Sequence, residues 1–526
     1  MPAPRPRAPL PDLTVRLPDG RERRLPRSGV RTPPLSELLA AAGIPLNTRC
    51  RGRGLCQGCL VEVAGETLRA CQCRADDLPA SIVTVPEASL GDRRLHGVQA
   101  FEVCPDAPAP RPREGLGLAI DIGTTTVAIC LWDLQSGACL ATAAGANEQR
   151  AFGDNVLSRI DHAAQAGHSR DLQRALVKDS LAPLLRDVLR RAGRNAAEIT
   201  EAEAAGNTIM LHTLAGVSLA GFRTWPFHPV FLEEQTFSAA ALGFESDFPI
   251  RTPPCPGAFV GADITAGALA SGMLHETAPG LLIDFGTNGE LLLRHGSTLL
   301  ATATAAGPAF EGGRLRCGAT ASPGVISSLR RENGGWIPTR VEGYPSPAAR
   351  GISGAAYIDC LALSRAVGEL DAAGRFCGTT LETAPAQDGH PGGRMVRITP
   401  DLYVCEADIA ELLQAKAAIA AGAMTLLETA GLTPADLGTL YIAGGFGYHL
   451  SPAHAMAIGL IPVLPPEKVR VIGNSSLGGA SLRLLAGHDA GAREFQQACK
   501  VIELNQQPRF EDHFIDALCL APLEPE

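Results

Sequence analysis

The chain has 526 residues, 45% of them hydrophobic and 19% charged, with a formal net charge of −9. A length of this order holds roughly three to five compact units, and the composition is that of a globular protein. The acidic balance excludes a general nucleic-acid binder, which gathers Lys and Arg on one basic face, and no run reaches the ~18 consecutive apolar residues of a membrane span.

Residues 1–11 are rich in Pro and Arg and lack the apolar core of a signal peptide. A cytoplasmic protein is therefore expected, with its 15 cysteines serving as metal ligands and buried thiols rather than disulfides. From Leu13, LTVRLPDGRERRL alternates about an Asp-Gly turn and predicts a β-hairpin. TPPLSELLAAAGI, from Thr32 to Ile44, predicts a short helix that opens on prolines and ends near Gly43. After a cysteine loop, LVEVAGETLRAC predicts strand–turn–strand and SIVTVP a further strand. Together these form one small unit over 12–87. The following stretch, 88–114, contains the Pro-dense EVCPDAPAPRPRE and is expected to be a semi-rigid linker. Beyond it, apolar strands alternate with helical patterns such as DLQRALVKDSLAPLLRDVLRRAG and ADIAELLQAKAAIAAGAMTLLETAG, which predicts α/β architecture. Two strands, in GLAIDIGTTTVAICLW and LLIDFGTNGELLL, run directly into glycine loops and point to two similar halves, over 115–277 and 278–520.

In CRGRGLCQGC, five residues separate Cys50 from Cys56 and two separate Cys56 from Cys59, with glycines between. Glycine lets backbone N–H groups turn toward sulfur, so such a loop can wrap an iron–sulfur cluster. The fourth thiolate must come from RACQCR. Read as a strand, that segment points Cys71 and Cys73 to the same side, so geometry leaves both open; Cys71 is the preferred ligand. A structural zinc site would also use four thiolates, but zinc ribbons show two close pairs flanked by turns.

In AIDIGTTTVAI a strand delivers Asp121 to a turn at Gly123, after which Thr124, Thr125 and Thr126 offer donors to phosphate. Asp121 is expected to hold Mg2+ through water. IDFGTNGELLL repeats the design with Asp284, Gly286, Thr287, Asn288, Gly289 and Glu290, where an acidic residue could orient an attacking water. LYIAGGFGYHL then places Gly444, Gly445, Phe446 and Gly447 after a strand, where missing side chains allow close approach of adenosine.

With these loops, the chain resembles the actin, heat-shock chaperone and sugar kinase superfamily. The superfamily's two connecting helices correspond to GADITAGALASG at Gly261 and GNSSLGGASLRLLAG at Gly473. The resemblance implies two ribonuclease H-like halves that close over ATP, preceded by an α+β ferredoxin-like (β-grasp) domain. The arrangement as a whole looks like the reductive activators of corrinoid proteins, which return Co(II) corrinoid to Co(I) for methyl transfer. NEQRAFGDNVLSRI at Asn147, GNTIMLHTLAGV at Gly206, AAGPAFEGGRLRCGATASPGVI at Ala305 and LLQAKAAIAAG at Leu412 extend the likeness over nearly the whole chain. GISGAAYID at Gly351 and LYVCEADI at Leu402 depart from the family pattern and bear on partner recognition. The resemblance implies a [2Fe–2S] cluster, ATP and Mg2+ as cofactors. A corrinoid protein and a low-potential electron donor are the implied partners, and a homodimer is compatible with it. Two rival readings are a small-molecule kinase regulated by its ferredoxin domain, and an electron carrier whose nucleotide domain only docks.

Overall fold

The computed structural model describes residues 11–17, 21–27, 33–42, 44, 46, 59–86, 89, 101–104, 108–153, 155–165, 168–342, 348–378, 382–384, 393–487 and 491–523. The chain divides into two compact units, one of residues 1–92, 311–357 and 378–411, the other of 93–310, 358–377 and 412–526.

In the first unit, Leu13–Arg16 pairs antiparallel with Glu22–Leu25 and parallel with Ile82–Thr84. Ile82–Thr84 pairs antiparallel with Leu60–Val63, and Leu60–Val63 with Glu66–Arg69. The mixed five-stranded sheet thus places the first and last strands side by side at its centre, the order of a β-grasp. Ala64 and Gly65, both at positive φ, make the two-residue turn whose twist suits a hairpin. Helix Leu35–Ala41 starts after Pro34 and buries Leu35 and Leu39 against Leu13, Val15, Val61 and Val83. Alternate strand residues face this core because the pleat turns every second side chain inward. The later segments of the unit add a hairpin, Ile326–Glu332 with Gly335–Arg340, and a three-stranded sheet of Glu382–Thr383, Arg394–Thr399 and Leu402–Cys405.

The second unit contains two six-stranded sheets with the same central logic. In one, Leu116–Ile122 is antiparallel to Thr126–Asp133 and parallel to Ile199–Gly206. In the other, Gly280–Phe285 is antiparallel to Gly289–His295 and parallel to Thr439–Ala443. These central strands read as unbroken apolar runs because both of their faces are covered. The two ribonuclease H-like halves of an α/β actin-like ATPase fold are therefore present, related by topology where the sequence shows only two short loops in common.

Helices Ala262–Ser271 and Ser475–Ala486 lie against each other through small residues. A Cβ on Gly479 would come 2.1 Å from Ala266 O, and one on Gly267 2.9 Å from Ser475 Oγ. The helix from Ser475 also packs on the first half's sheet, burying Leu477, Ala480 and Leu484 among Ala119, Ala128 and Ala205. There Arg483, 1% exposed, donates from Nε to the fully buried Glu203 at 2.5 Å and also meets Glu234.

The described residues 101–104 and 108–113 are not a free spacer. Glu102 N donates to Ile472 O, Cys104 N to Ala270 O and Arg111 N to Leu485 O, and the Arg113 guanidinium reaches Leu484 O and Glu201. Pro108, Pro110 and Pro112 offer no N–H, and the N–H groups of Glu102, Cys104 and Arg111 find carbonyls at strand and helix ends of the second unit.

Helix Glu406–Thr429 is long and apolar enough to cross a membrane by length and composition, yet 78% of its apolar window is buried inside the protein, as in a core helix.

Candidate functional site

Asp121 and Asp284 occupy equivalent places, each the penultimate residue of a central strand. Ligands in open α/β sheets bind beyond such carboxyl ends. Around them the structure gathers Asp263, from the first turn of Ala262–Ser271, and Glu290, opposite Asp284 in the strand register. Burial raises the Asp121 carboxyl, although hydrogen bonds from Asn474 and Ser476 oppose the shift. Burial, with the charge of Asp121 beside it, pushes Asp263 up to about 7. Asp284 is pushed up to about 8 by burial and by the charges of Asp263 and Asp121. Glu290 is raised by burial and by Asp263 and Asp284. Four carboxylates that repel one another in a common recess fit a divalent cation, which reverses each of these shifts. A hard ion such as Mg2+ keeps several waters and takes few protein oxygens directly.

Each half reaches into the other's carboxylates through a capping asparagine. Asn207, at the end of Ile199–Gly206, caps the next helix by accepting from Ile209 N and donates to Phe259 O at 3.1 Å and to Glu290 Oε1 at 3.4 Å. Asn474, after Val469–Gly473, accepts from Leu477 N and donates to Asp121 Oδ2 at 2.8 Å. Ser476 Oγ donates to the other oxygen of Asp121 at 2.8 Å, and Ser475 Oγ lies 3.4 Å from Asp284 Oδ2. The Thr125 and Thr287 hydroxyls also hydrogen-bond to each other, joining the two phosphate-type loops directly. Opening the halves would break the Asn207–Glu290, Asn474–Asp121, Ser476–Asp121 and Thr125–Thr287 contacts together.

The first loop is held by its carbonyls. Asn147 Nδ2 donates to Gly123 O at 2.8 Å, Asn147 N to Thr125 O at 2.8 Å, and the buried Arg159 to Thr124 O at 2.7 Å. A Cβ on Gly123 would sit 2.5 Å from Thr126 O, so the turn admits only glycine without movement. Thr126 begins the following strand. In the second loop, Gly286 N donates to Asn288 O, closing the reversal between the paired residues Phe285 and Gly289. Gly289 itself is a buried strand residue whose missing side chain makes room for Ile419 and Thr304.

Gly444 has φ +88, and a Cβ there would meet Phe285 O at 2.3 Å and Asp284 Oδ1 at 2.7 Å. The adenosine-type loop thereby reaches the carboxylates themselves. Gly445 follows on the same turn, and Gly447 packs on Ile442. Phe446 lies with its ring centroid 5.5 Å from that of Phe285 and 4.9 Å from that of Phe310, a buttress beneath the loop.

Sequence reasoning missed Asp263, Asn207, Asn474, Ser475 and Ser476. A signal was present: Gly-Asn followed by a hydroxyl residue occurs at 206–208 and at 473–475, each time between a strand and a helix.

In the first unit, Cys59 and Cys71 are buried in the core of the β-grasp sheet. Cys59 O accepts from Ala70 N at 3.0 Å, which brings the end of the cysteine loop beside the RACQCR segment. That segment is a turn, not a strand: Gln72 N folds back to Arg69 O, so alternation of strand faces does not govern Cys71 and Cys73. The Cys73 thiol, partly exposed, is raised by burial and by Cys59 and Asp77 nearby. Both residues thus lie close to Cys59 in the fold, and thiols gathered in this way, two of them buried, suit an iron–sulfur cluster. Cys50 and Cys56 lie outside the described residues.

A model of the RACo middle region matches residues 116–276, and a model of the C-terminal, ASKHA domain of RACo matches 278–525. The corrinoid activation enzyme RamQ of Eubacterium limosum is 31% identical over 417 residues, covering 76% of this chain and 69% of the relative. The [Co(II) methylated amine-specific corrinoid protein] reductase of Methanosarcina barkeri is 24% identical over 389 residues, covering 68% of each chain. Among solved structures, a reductive activator for a corrinoid, iron–sulfur protein is similar with a TM-score of 0.72 and 26% identity, covering 97% of this chain and 99% of the other.

Proposed function

Because this chain belongs to the RACo family of reductive activators of corrinoid proteins, we propose that it is an ATP-dependent reductase that returns a Co(II) corrinoid protein to Co(I). The observation that carries this reading is the pairing, on one chain, of a β-grasp unit holding buried Cys59 and Cys71 with an actin-like unit whose halves meet at four carboxylates.

Cys50, Cys56, Cys59 and either Cys71 or Cys73 would hold a [2Fe–2S] cluster, which supplies one low-potential electron when bound. Plant-type clusters lie near about −400 mV, and every ~59 mV by which the acceptor is lower costs a factor of ten in the transfer equilibrium. Nucleotide offsets such a gap only through a state it binds preferentially; shifting a two-state element from 1:99 to 99:1 takes about 5.5 kcal/mol of differential binding. The crossed asparagines and the Thr125–Thr287 contact belong to such an element, since they exist only while the two halves are together.

In the nucleotide site, Asp121 and Asp284 would hold Mg2+, with Asp263 completing the negative recess. Gly123, Thr124, Thr125 and Thr126, with Gly286, Thr287 and Asn288, face phosphate, while Gly444, Gly445 and Phe446 border the adenosine. Glu290, kept in place by Asn207, would take a proton from the attacking water as a carboxylate, the form that a bound cation restores by offsetting the rise caused by burial and by Asp263 and Asp284. The partners are a corrinoid protein and a low-potential reductant, and the reaction takes place in the cytoplasm.

The test is optical. The reduced holoprotein, mixed with a Co(II) corrinoid protein, should convert it to the Co(I) spectrum with ATP and Mg2+ and not without them. Equal conversion in the absence of nucleotide, or none in its presence with a fully loaded cluster, overturns the proposal.

A further inference from the structure

Away from the nucleotide site, the end of helix Val156–Ala163 meets the start of helix Ser169–Arg174 through three side chains that the proposed reaction leaves unused. His162 Nε2 and His168 Nδ1 lie 3.3 Å apart, and each lies 3.4 Å from the same oxygen, Asp171 Oδ2. The three atoms form a nearly equilateral triangle.

Hydrogen bonding accounts poorly for that triangle. Each ring nitrogen carries at most one hydrogen, aimed at one partner, so three mutual contacts cannot all be well made, and all three edges exceed the usual length of about 2.9 Å. Metal coordination accounts for it well. A tetrahedral zinc ion, with bonds of about 2.0–2.2 Å to imidazole nitrogen and carboxylate oxygen, sets its ligand atoms roughly 3.3–3.5 Å apart. The triangle has the dimensions of one face of such a tetrahedron.

We propose that His162, His168 and Asp171 form a His2Asp site for a zinc-type divalent ion, with water in the fourth position. The partial exposure of His168 and Asp171 supplies a route for that water, while the Phe152 ring, 4.7 Å from the His162 ring, walls the other side. The bound ion fastens the two helices together three residues beyond Arg159, the residue that holds Thr124 O in the phosphate-type loop.

The test uses the full-length holoprotein and cobalt(II) as a visible probe. One equivalent should give the d–d bands of a tetrahedral nitrogen–oxygen site, without the near-ultraviolet band of thiolate ligation, and zinc should displace it. His162→Ala and Asp171→Asn should each weaken binding by more than about tenfold, the upper part of the range for disturbing even an outer-sphere partner, while circular dichroism stays unchanged. Zinc should also slow amide exchange across 156–165 in the wild type and leave Asp171→Asn unaffected. Absence of binding, a thiolate band alone, or cobalt affinity equal in wild type and the Asp171→Asn variant overturns the assignment.

Discussion

Asp284 shows how one carboxyl can carry both a cost and a function. Its ordinary value of 3.8 rises to about 8 in the folded protein. Between those two values the folded state holds a proton that the unfolded state has released, so metal-free stability falls as pH rises through that window and levels off above it. Mg2+ should reverse the loss. The expected outcome is a melting temperature for the metal-free protein that is lower at pH 8.5 than at pH 6, with the difference narrowed by Mg2+. Asp284→Asn removes the charge that must be buried, so this variant should be more stable than the wild type at pH 8.5 without metal, while ATP hydrolysis is lost and the iron–sulfur spectrum is unchanged. A variant that melts with the wild-type pH dependence, or that hydrolyses ATP normally, would show that Asp284 is not the focus of the cluster. This residue was legible in the sequence because a strand running into Asp-x-Gly-Thr is a local pattern. Asp263 was not singled out, because its meaning depends on three acids carried by strands, which it meets only in the fold.

At the scale of elements, the contact between Ala262–Ser271 and Ser475–Ala486 sets how closely the two halves approach. Small residues allow backbone to meet backbone there, and the sequence shows both helices to be rich in Gly, Ala and Ser. Gly479→Val would drive a branched side chain onto Ala266 O, where even a Cβ lies at 2.1 Å. The helices must then separate, at a cost of about 1–3 kcal/mol for overpacking. The measurement is denaturant unfolding, together with nucleotide affinity. Affinity should fall with stability, because Ser475, Ser476 and Asn474 lie at the start of the same helix and would withdraw from Asp284 and Asp121. Unchanged stability and affinity would mean that the interface has slack. The RACQCR segment is a contrasting case. Its short alternating pattern reads as a strand, but the pairing of Glu66–Arg69 with Leu60–Val63 ends there and the chain turns toward helix Leu35–Ala41, whose Leu35 N donates to Cys73 O.

For the whole molecule, the stretch from Phe101 to Arg113 changes where the protein can be cut. Proline density reads as a spacer, yet the backbone there is bonded to Ile472, Ala270 and Leu485 of the second unit. A fragment beginning at Phe101 should therefore fold as a stable ATPase, while one beginning at Gly115 should melt several degrees lower, since it loses these bonds and the Arg113 contacts with Leu484 O and Glu201. Differential scanning calorimetry of the two fragments decides between a docked strap and a free spacer; equal melting temperatures would favour the spacer. Neither fragment should reduce a corrinoid protein, because both lack Cys50, Cys56, Cys59, Cys71 and Cys73.

Features written locally were legible before folding: hairpin strands, helix starts, strands that run into phosphate-type loops, and cysteine spacing. Periodicity and turn residues act over a few positions, so they survive without knowledge of the fold. The pairing of Asn207 with Glu290 and of Asn474 with Asp121, the gathering of Asp263 with the other acids, the hydrogen bonds of Glu102, Cys104 and Arg111, and the division of the chain's C-terminal half between two units emerge only from the folded chain. Each of these depends on residues from different elements, most of them scores to hundreds of positions apart, and what brings them together is the burial of two sheets and their connecting helices, a property of packing that no short stretch of sequence contains.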